Sequence, residues 1–144
     1  MSVNEDIHHT QKATGDIPKT KEAEIGLKIV TKTIEIINEL SPKYYYIENP
    51  RGLLRKLPNI HSVPFRRTVW YCQYGKDETR AKPTDIWTND MRWIPRSKCH
   101  NGNTNCHHEP APRGAKTGTQ GLKGNYERSI VPKELCEEIL KGIK

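Results

Sequence analysis

The stretch Tyr44-Tyr45-Tyr46-Ile47-Glu48-Asn49-Pro50-Arg51-Gly52 decides how the chain is read. Three tyrosines and an isoleucine follow one another without the polar-apolar alternation of a half-exposed strand. Such a run is expected of a strand covered on both faces in a parallel sheet. It then ends abruptly on an acid, Glu48, an amide, Asn49, and the turn residues Pro50 and Gly52. In open α/β sheets ligands bind beyond the carboxyl ends of strands, so an acid at that place is a candidate functional group. The alternative is that Glu48 caps the turn and pairs with Arg51 or Arg55.

Upstream of this strand, Ala23, Leu27, Val30, Ile34 and Ile37 recur at spacings of four and three, predicting a helix over 21–40 with one apolar stripe. Thr20 is its expected N-cap, Glu22 and Glu24 lie in the favourable first turn, and Ser41-Pro42 stops it. Downstream, 67–75 and 83–89 are rich in β-branched and aromatic residues and read as two strands. The connection between them is too short for a crossover helix, so they are expected to pair as an antiparallel hairpin. From Asp90 to Glu127 glycine, proline, asparagine and basic residues dominate without period, which reads as a long loop. Pro132 opens a last helix with Leu135, Ile139 and Ile143 on one face. The order predicts an α/β fold: residues 1–19 as a polar N-terminal loop, and 20–144 as a single domain carrying a basic Cys/His loop over 90–127.

Composition narrows the function classes. The chain has 144 residues, 33% of them hydrophobic, and a mean hydropathy of −0.85; no apolar run approaches the ~20 residues a membrane helix needs. The N-terminus has no basic region followed by an apolar one, so no secretory signal is expected, and the cytoplasm is the expected compartment. The net charge of +7 is uneven: residues 1–50 hold six lysines against eight acids, whereas 51–128 hold fifteen basic residues against six acids. A basic middle segment is the electrostatic footprint of a nucleic-acid binder, the alternative being a solvated basic face with no partner. Arg113, Lys116 and Lys123, spaced by glycines, suit contact with DNA phosphates.

Cys99, His100, Cys106, His107 and His108 fall within ten residues. Sulfur and imidazole donors at that density suit tetrahedral zinc, and Cys99, Cys106, His107 and His108 are the expected ligands. Cys72 on the neighbouring strand is a further candidate, and Cys136 is expected in the core. The alternative is a plain basic loop touching phosphate. Trp70, Tyr71 and Trp87 are expected to pack inside the sheet rather than to stack on bases.

Taken in order, IENPRGLLRKLP, TVWYCQYG, RAKPTDIWTN, APRGAKTGTQG and RSIVPKELCEEIL resemble the C-terminal half of DNA cytosine-5 methyltransferases, of the divergent kind found in phages and prophages. The resemblance covers about residues 17–144 and implies a partial Rossmann-like fold comprising the C-terminal half of the sheet. It implies that Glu48 contacts the ring nitrogen of a cytosine flipped out of the duplex, with Asn49 beside it, and that Arg80 and Lys82 occupy the positions of an Arg-x-Arg motif. Arg51 and Arg55 would join the DNA contacts. GNYERSIVP resembles the motif that closes over S-adenosylmethionine, which implies a cofactor contact at Ser129 and Val131. The family's glycine-rich cofactor loop and Pro-Cys nucleophile have no counterpart here, since all four cysteines follow Glu48 and none follows a proline. Two readings follow. The chain is either a methyltransferase subunit complemented by another chain, with no methylation on its own, or a non-catalytic DNA-binding remnant stabilised by zinc.

Overall fold

A computed structural model describes residues 18–112 and 124–144. Arg113, Lys116 and Lys123 lie outside the described residues, as does most of the polar N-terminal segment. The elements are α1 (Lys21–Leu40), β1 (Tyr46–Pro50), β2 (Phe65–Trp70), β3 (Pro83–Thr88), α2 (Asn125–Ser129) and α3 (Lys133–Gly142), with short 3-10 turns between β1 and β2 and after β2. The architecture is mixed α/β around a three-stranded antiparallel sheet of order β1-β3-β2. The chain gathers into two compact units: one runs up to Arg66 and includes Ile86–Met91, and the other comprises Arg67–Asp85 and Arg92–Lys144.

In the first unit, α1 begins where Thr20 Oγ1 accepts the Ala23 N–H at 3.1 Å, a cap worth about 1 kcal/mol. It ends at Ser41, left-handed at φ 47°, whose N–H donates to Ile37 O at 2.9 Å; Pro42 then excludes another turn. Val30 and Ile34 of α1 pack with Ile47 of β1 against a buried cluster of Leu54, Ile60, Val63 and Trp87. No residue of α1 is fully buried. A second apolar ridge, Ile25, Ile29, Ile36 and Leu40, is exposed along it.

β1 corrects the reading of the tyrosine run. It is an outer strand of an antiparallel sheet rather than a strand covered on both faces of a parallel one. Its residues are half-buried or exposed, and Glu48 is exposed. The tyrosines fit this place because each phenol can leave its ring packed and its hydroxyl engaged: Tyr46 Oη donates to Asp90 Oδ2 at 2.6 Å.

β2 and β3 form the expected antiparallel pair, and in the second unit Thr68 Oγ1 donates to Asp85 Oδ1 at 2.8 Å. Trp87, in the first unit, is buried and Trp70, in the second, is half-buried, as expected of sheet-packing aromatics. The segment read as a continuous loop to Glu127 closes earlier, because α2 starts at Asn125. α3 buries Leu135. Cys136, expected in the core, is exposed, since it lies one residue round the helix from that face.

Candidate metal centre

Beside the buried Val69, Tyr71, Tyr74, Trp93 and Leu135 of the second unit lies a separate cluster rich in sulfur. It is made of Cys72, Ala81 and Cys99, with Trp70 and Cys106 packed against it. The loop carrying Cys99 and Cys106 meets this unit mainly through sulfur, with Ala81 and Trp70 as the apolar partners in the cluster. Cys72 sits in the 3-10 turn that ends β2. The other donors come from the chain beyond Asp90, where Asn103 N–H donates to His100 O at 3.3 Å and Cys106 N–H to Asn103 O at 3.1 Å. These turns bring Cys72, Cys99, Cys106 and His108 together, with one donor atom of each within 4.8 Å of all the others.

This geometry can hold a metal ion. A tetrahedral ion with sulfurs at about 2.3 Å sets neighbouring donors roughly 3.8 Å apart, and Cys99 Sγ lies 3.7 Å from His108 Nδ1. The other imidazole nitrogen, Nε2, is buried with no hydrogen-bond partner among the described residues. The ring is thus held only through the nitrogen that faces the sulfurs. Two amides serve the sulfurs from outside: Asn103 Nδ2 donates to Cys99 Sγ at 3.4 Å, and Gln73 Nε2 lies 3.6 Å from Cys72 Sγ and 3.8 Å from Cys106 Sγ. Such N–H to sulfur bonds orient ligands and spread thiolate charge.

Electrostatics agree with the chemistry of the donor set. Burial pushes the Cys72 thiol up to about 12, and the neighbouring Cys99 and Cys106 sulfurs push it the same way. Burial also opposes a charge on Cys99, but the Asn103 amide and the Cys72 hydrogen bond outweigh it and hold that thiol below its ordinary value. Burial, and then the charges of His107 and His100, keep His108 below the ordinary histidine value, so its neutral, ligating form is favoured. Crowded thiols resist ionising together; a divalent ion removes that resistance by replacing their protons.

Of the expected ligands, Cys99, Cys106 and His108 are in the cluster and His107 is not. Its Nε2 lies 3.0 Å from Glu78 O. Adjacent side chains on a non-helical segment point to different sides, so only one histidine of the pair faces the sulfurs, and Cys72 completes the set.

Arg80 and Lys82 lie in the same unit and bind the chain itself. Arg80 is 4% exposed. Its guanidinium grips both Glu78 carboxylate oxygens at 2.5 and 2.6 Å and donates to the carbonyls of Glu127, Arg128 and Ile130. Lys82 Nζ donates to Arg128 O at 2.7 Å, and both cations lie over the Tyr71 ring, at 5.1 and 4.9 Å. The pair therefore fastens the end of α2 to the turn between β2 and β3. Glu78, which sequence reasoning overlooked, is the acid that orients Arg80; its place two residues upstream was the available signal. Ser129 Oγ donates to Tyr126 O at 2.7 Å, and Val131 is half-buried.

Glu48 and Asn49 belong to the first unit. With Val30, Ile47, Leu54 and Ile60 they line a cavity of about 160 Å³. A wider apolar groove of about 960 Å³ runs along α1, past Leu27 and Val30 to Leu53 and Leu57, with no metal-ligating side chain among the described residues that line it. Arg51 is exposed and Arg55 half-buried. Among the described residues no helix is long and apolar enough to cross a membrane. No family model, curated protein or solved structure matches the chain.

Proposed function

We propose that the chain is a zinc-stabilised DNA-binding module of the cytosine-5 methyltransferase type. The observation that carries the reading is the cluster of Cys72, Cys99, Cys106 and His108, four metal-ligating donors gathered with three sulfurs in and against one buried cluster. Three thiolates and a neutral imidazole in a closed set of four leave no open position, which is the ligand pattern of structural rather than catalytic zinc. The cluster organises a loop within residues 51–128, the segment that holds fifteen basic residues against six acids. The motif resemblance then gives DNA as the partner of that charge.

The test is elemental analysis with DNA titration. Protein purified without added metal should carry about one zinc per chain, and Cys99→Ser with Cys106→Ser should remove it. Stripping zinc should weaken binding to duplex DNA. Absence of zinc, or unchanged DNA affinity after stripping, refutes the proposal.

A second reading, in which the chain also contributes the base-holding acid of a complemented methyltransferase, is favoured by one observation. Glu48 and Asn49 line a small cavity whose other walls are largely aliphatic, a setting suited to gripping the polar edge of a flipped base. Glu48→Gln should then abolish any preference for duplexes with a mismatched cytosine while leaving bulk affinity unchanged. Equal binding of both DNAs by the parent protein refutes this second reading.

A further inference from the structure

Beside the metal cluster lies a second pocket, of about 450 Å³, whose wall includes Cys72 and Cys106. Its size is that of a small-ligand site, but its chemistry is unusual for one. Among the residues that line it there is no aliphatic chain and no phenyl, phenol or indole ring. The wall is thus unsuited to burying a hydrocarbon, and its one aromatic ring, the His107 imidazole, is engaged through Nε2 with Glu78 O at 3.0 Å.

The charges have an uneven distribution of partners. Arg96 is occupied: it donates to Glu134 Oε2 at 2.9 Å, to Glu138 Oε1 at 3.1 Å and to Gln73 O at 2.8 Å. Gln73 and Asn103 turn their amides toward the sulfurs. Lys76 and Lys98 remain, both exposed, and neither has an ion-pair partner among the described residues. Asn105 lines the same wall. Among the lining residues Lys76, Arg96 and Lys98 stand against Glu134 and the one negative charge that a divalent ion with three thiolates would leave at the cluster, a balance of +1; Glu138, which Arg96 also binds, is not among them. The pocket is thus net positive, concave and polar, and a cleft of one sign concentrates counter-ions.

We propose that this pocket binds a phosphate group, held by Lys76 and Lys98 with the Asn105 amide. On the DNA-binding reading above, on which only the source of the phosphate rests, that group is a backbone phosphodiester. The phosphate would sit against the loop that the metal holds, so that metal binding presets the spacing of its cations.

The experiment uses the full chain loaded with zinc and labelled for NMR. It is titrated at constant ionic strength with inorganic phosphate and, separately, with a short duplex DNA. The amide signals of Gln73, Lys76, Lys98 and Asn105 should move with the duplex, and Lys76→Gln with Lys98→Gln should abolish the movement. That variant should still bind cobalt with the thiolate charge-transfer bands of the parent, showing the loop intact. It should also flatten the slope of log affinity for duplex DNA against log salt by about 0.9 for each lysine that contacts phosphate. Movement with inorganic phosphate alone supports the pocket and refutes DNA as its source. No movement with either probe, or equal movement in the double variant, overturns the pocket. Duplex binding that persists elsewhere in that case leaves the DNA reading standing.

Discussion

Replacing Arg80 by alanine tests how the second unit is fastened. The side chain of Arg80 is 5% exposed and that of its partner Glu78 13%, with the closest N to O distance 2.5 Å. Removing the cation leaves a largely buried carboxylate without its counter-charge, which costs about 3–5 kcal/mol. The carbonyls of Glu127, Arg128 and Ile130 also lose a donor. Those residues are exposed or half-exposed, so water can replace it, and the carboxylate sets the magnitude. Against a typical total of about 5–15 kcal/mol the loss is severe. With a urea slope near 2 kcal/mol/M the midpoint should fall by about 2 M, followed by tryptophan fluorescence. Arg80→Lys keeps the charge but not the two-pronged grip on Glu78, and should lose roughly half as much. A fall below about 0.5 M for Arg80→Ala would refute the reasoning, because an acid so enclosed cannot lose its partner cheaply.

Other outcomes follow from single features. Burial holds the pKa of His108 below the ordinary histidine value of about 6.5, so below about that pH the unfolded chain takes up a proton that the folded chain refuses. The stability of the metal-free protein should therefore be fully present above about pH 6.5 and decline as pH falls through it, a drop in thermal midpoint that His108→Gln should flatten. In the metal-free protein Cys72, pushed up to about 12, should be the last thiol alkylated, and exposed Cys136 should react whether or not metal is bound, as read by mass spectrometry. Trp87→Ala, at 1% exposure in the first unit's core, should cost about 3–5 kcal/mol in urea titration.

Local signals were legible wherever one residue's neighbours in sequence are also its neighbours in space. α1 could be read to the residue at both ends because its period, its Thr20 cap and its Ser41-Pro42 stop are all local. The pairing of β2 with β3 was readable for the same reason, as was the start of α3 after Pro132. β1 was misjudged because an aromatic run reports only that rings are covered; that phenols also suit a sheet edge follows from a partner such as Asp90, 44 positions away. The cysteines and histidines of 99–108 announced a metal site, but choosing His108 over His107 required knowing that the Glu78 carbonyl takes the other ring. Arg80 and Lys82 stood out as cations. Their acceptors at 127–130 are set by how the chain returns, which no local pattern encodes.

The spread of the four donors along the chain has a consequence for how the second unit is assembled. Cys99, Cys106 and His108 lie close in sequence and can gather round an ion by closing short loops, events of about 10–100 ns. Cys72 belongs to the end of β2 and reaches them only across a far longer loop, whose closure entropy rises with the logarithm of its length. Refolding with metal present should thus begin with a three-donor species and finish when the hairpin delivers the fourth sulfur. On the ribosome the order would be inverted: Cys72 emerges first, and a bound ion could be sealed in only after the chain has grown through His108.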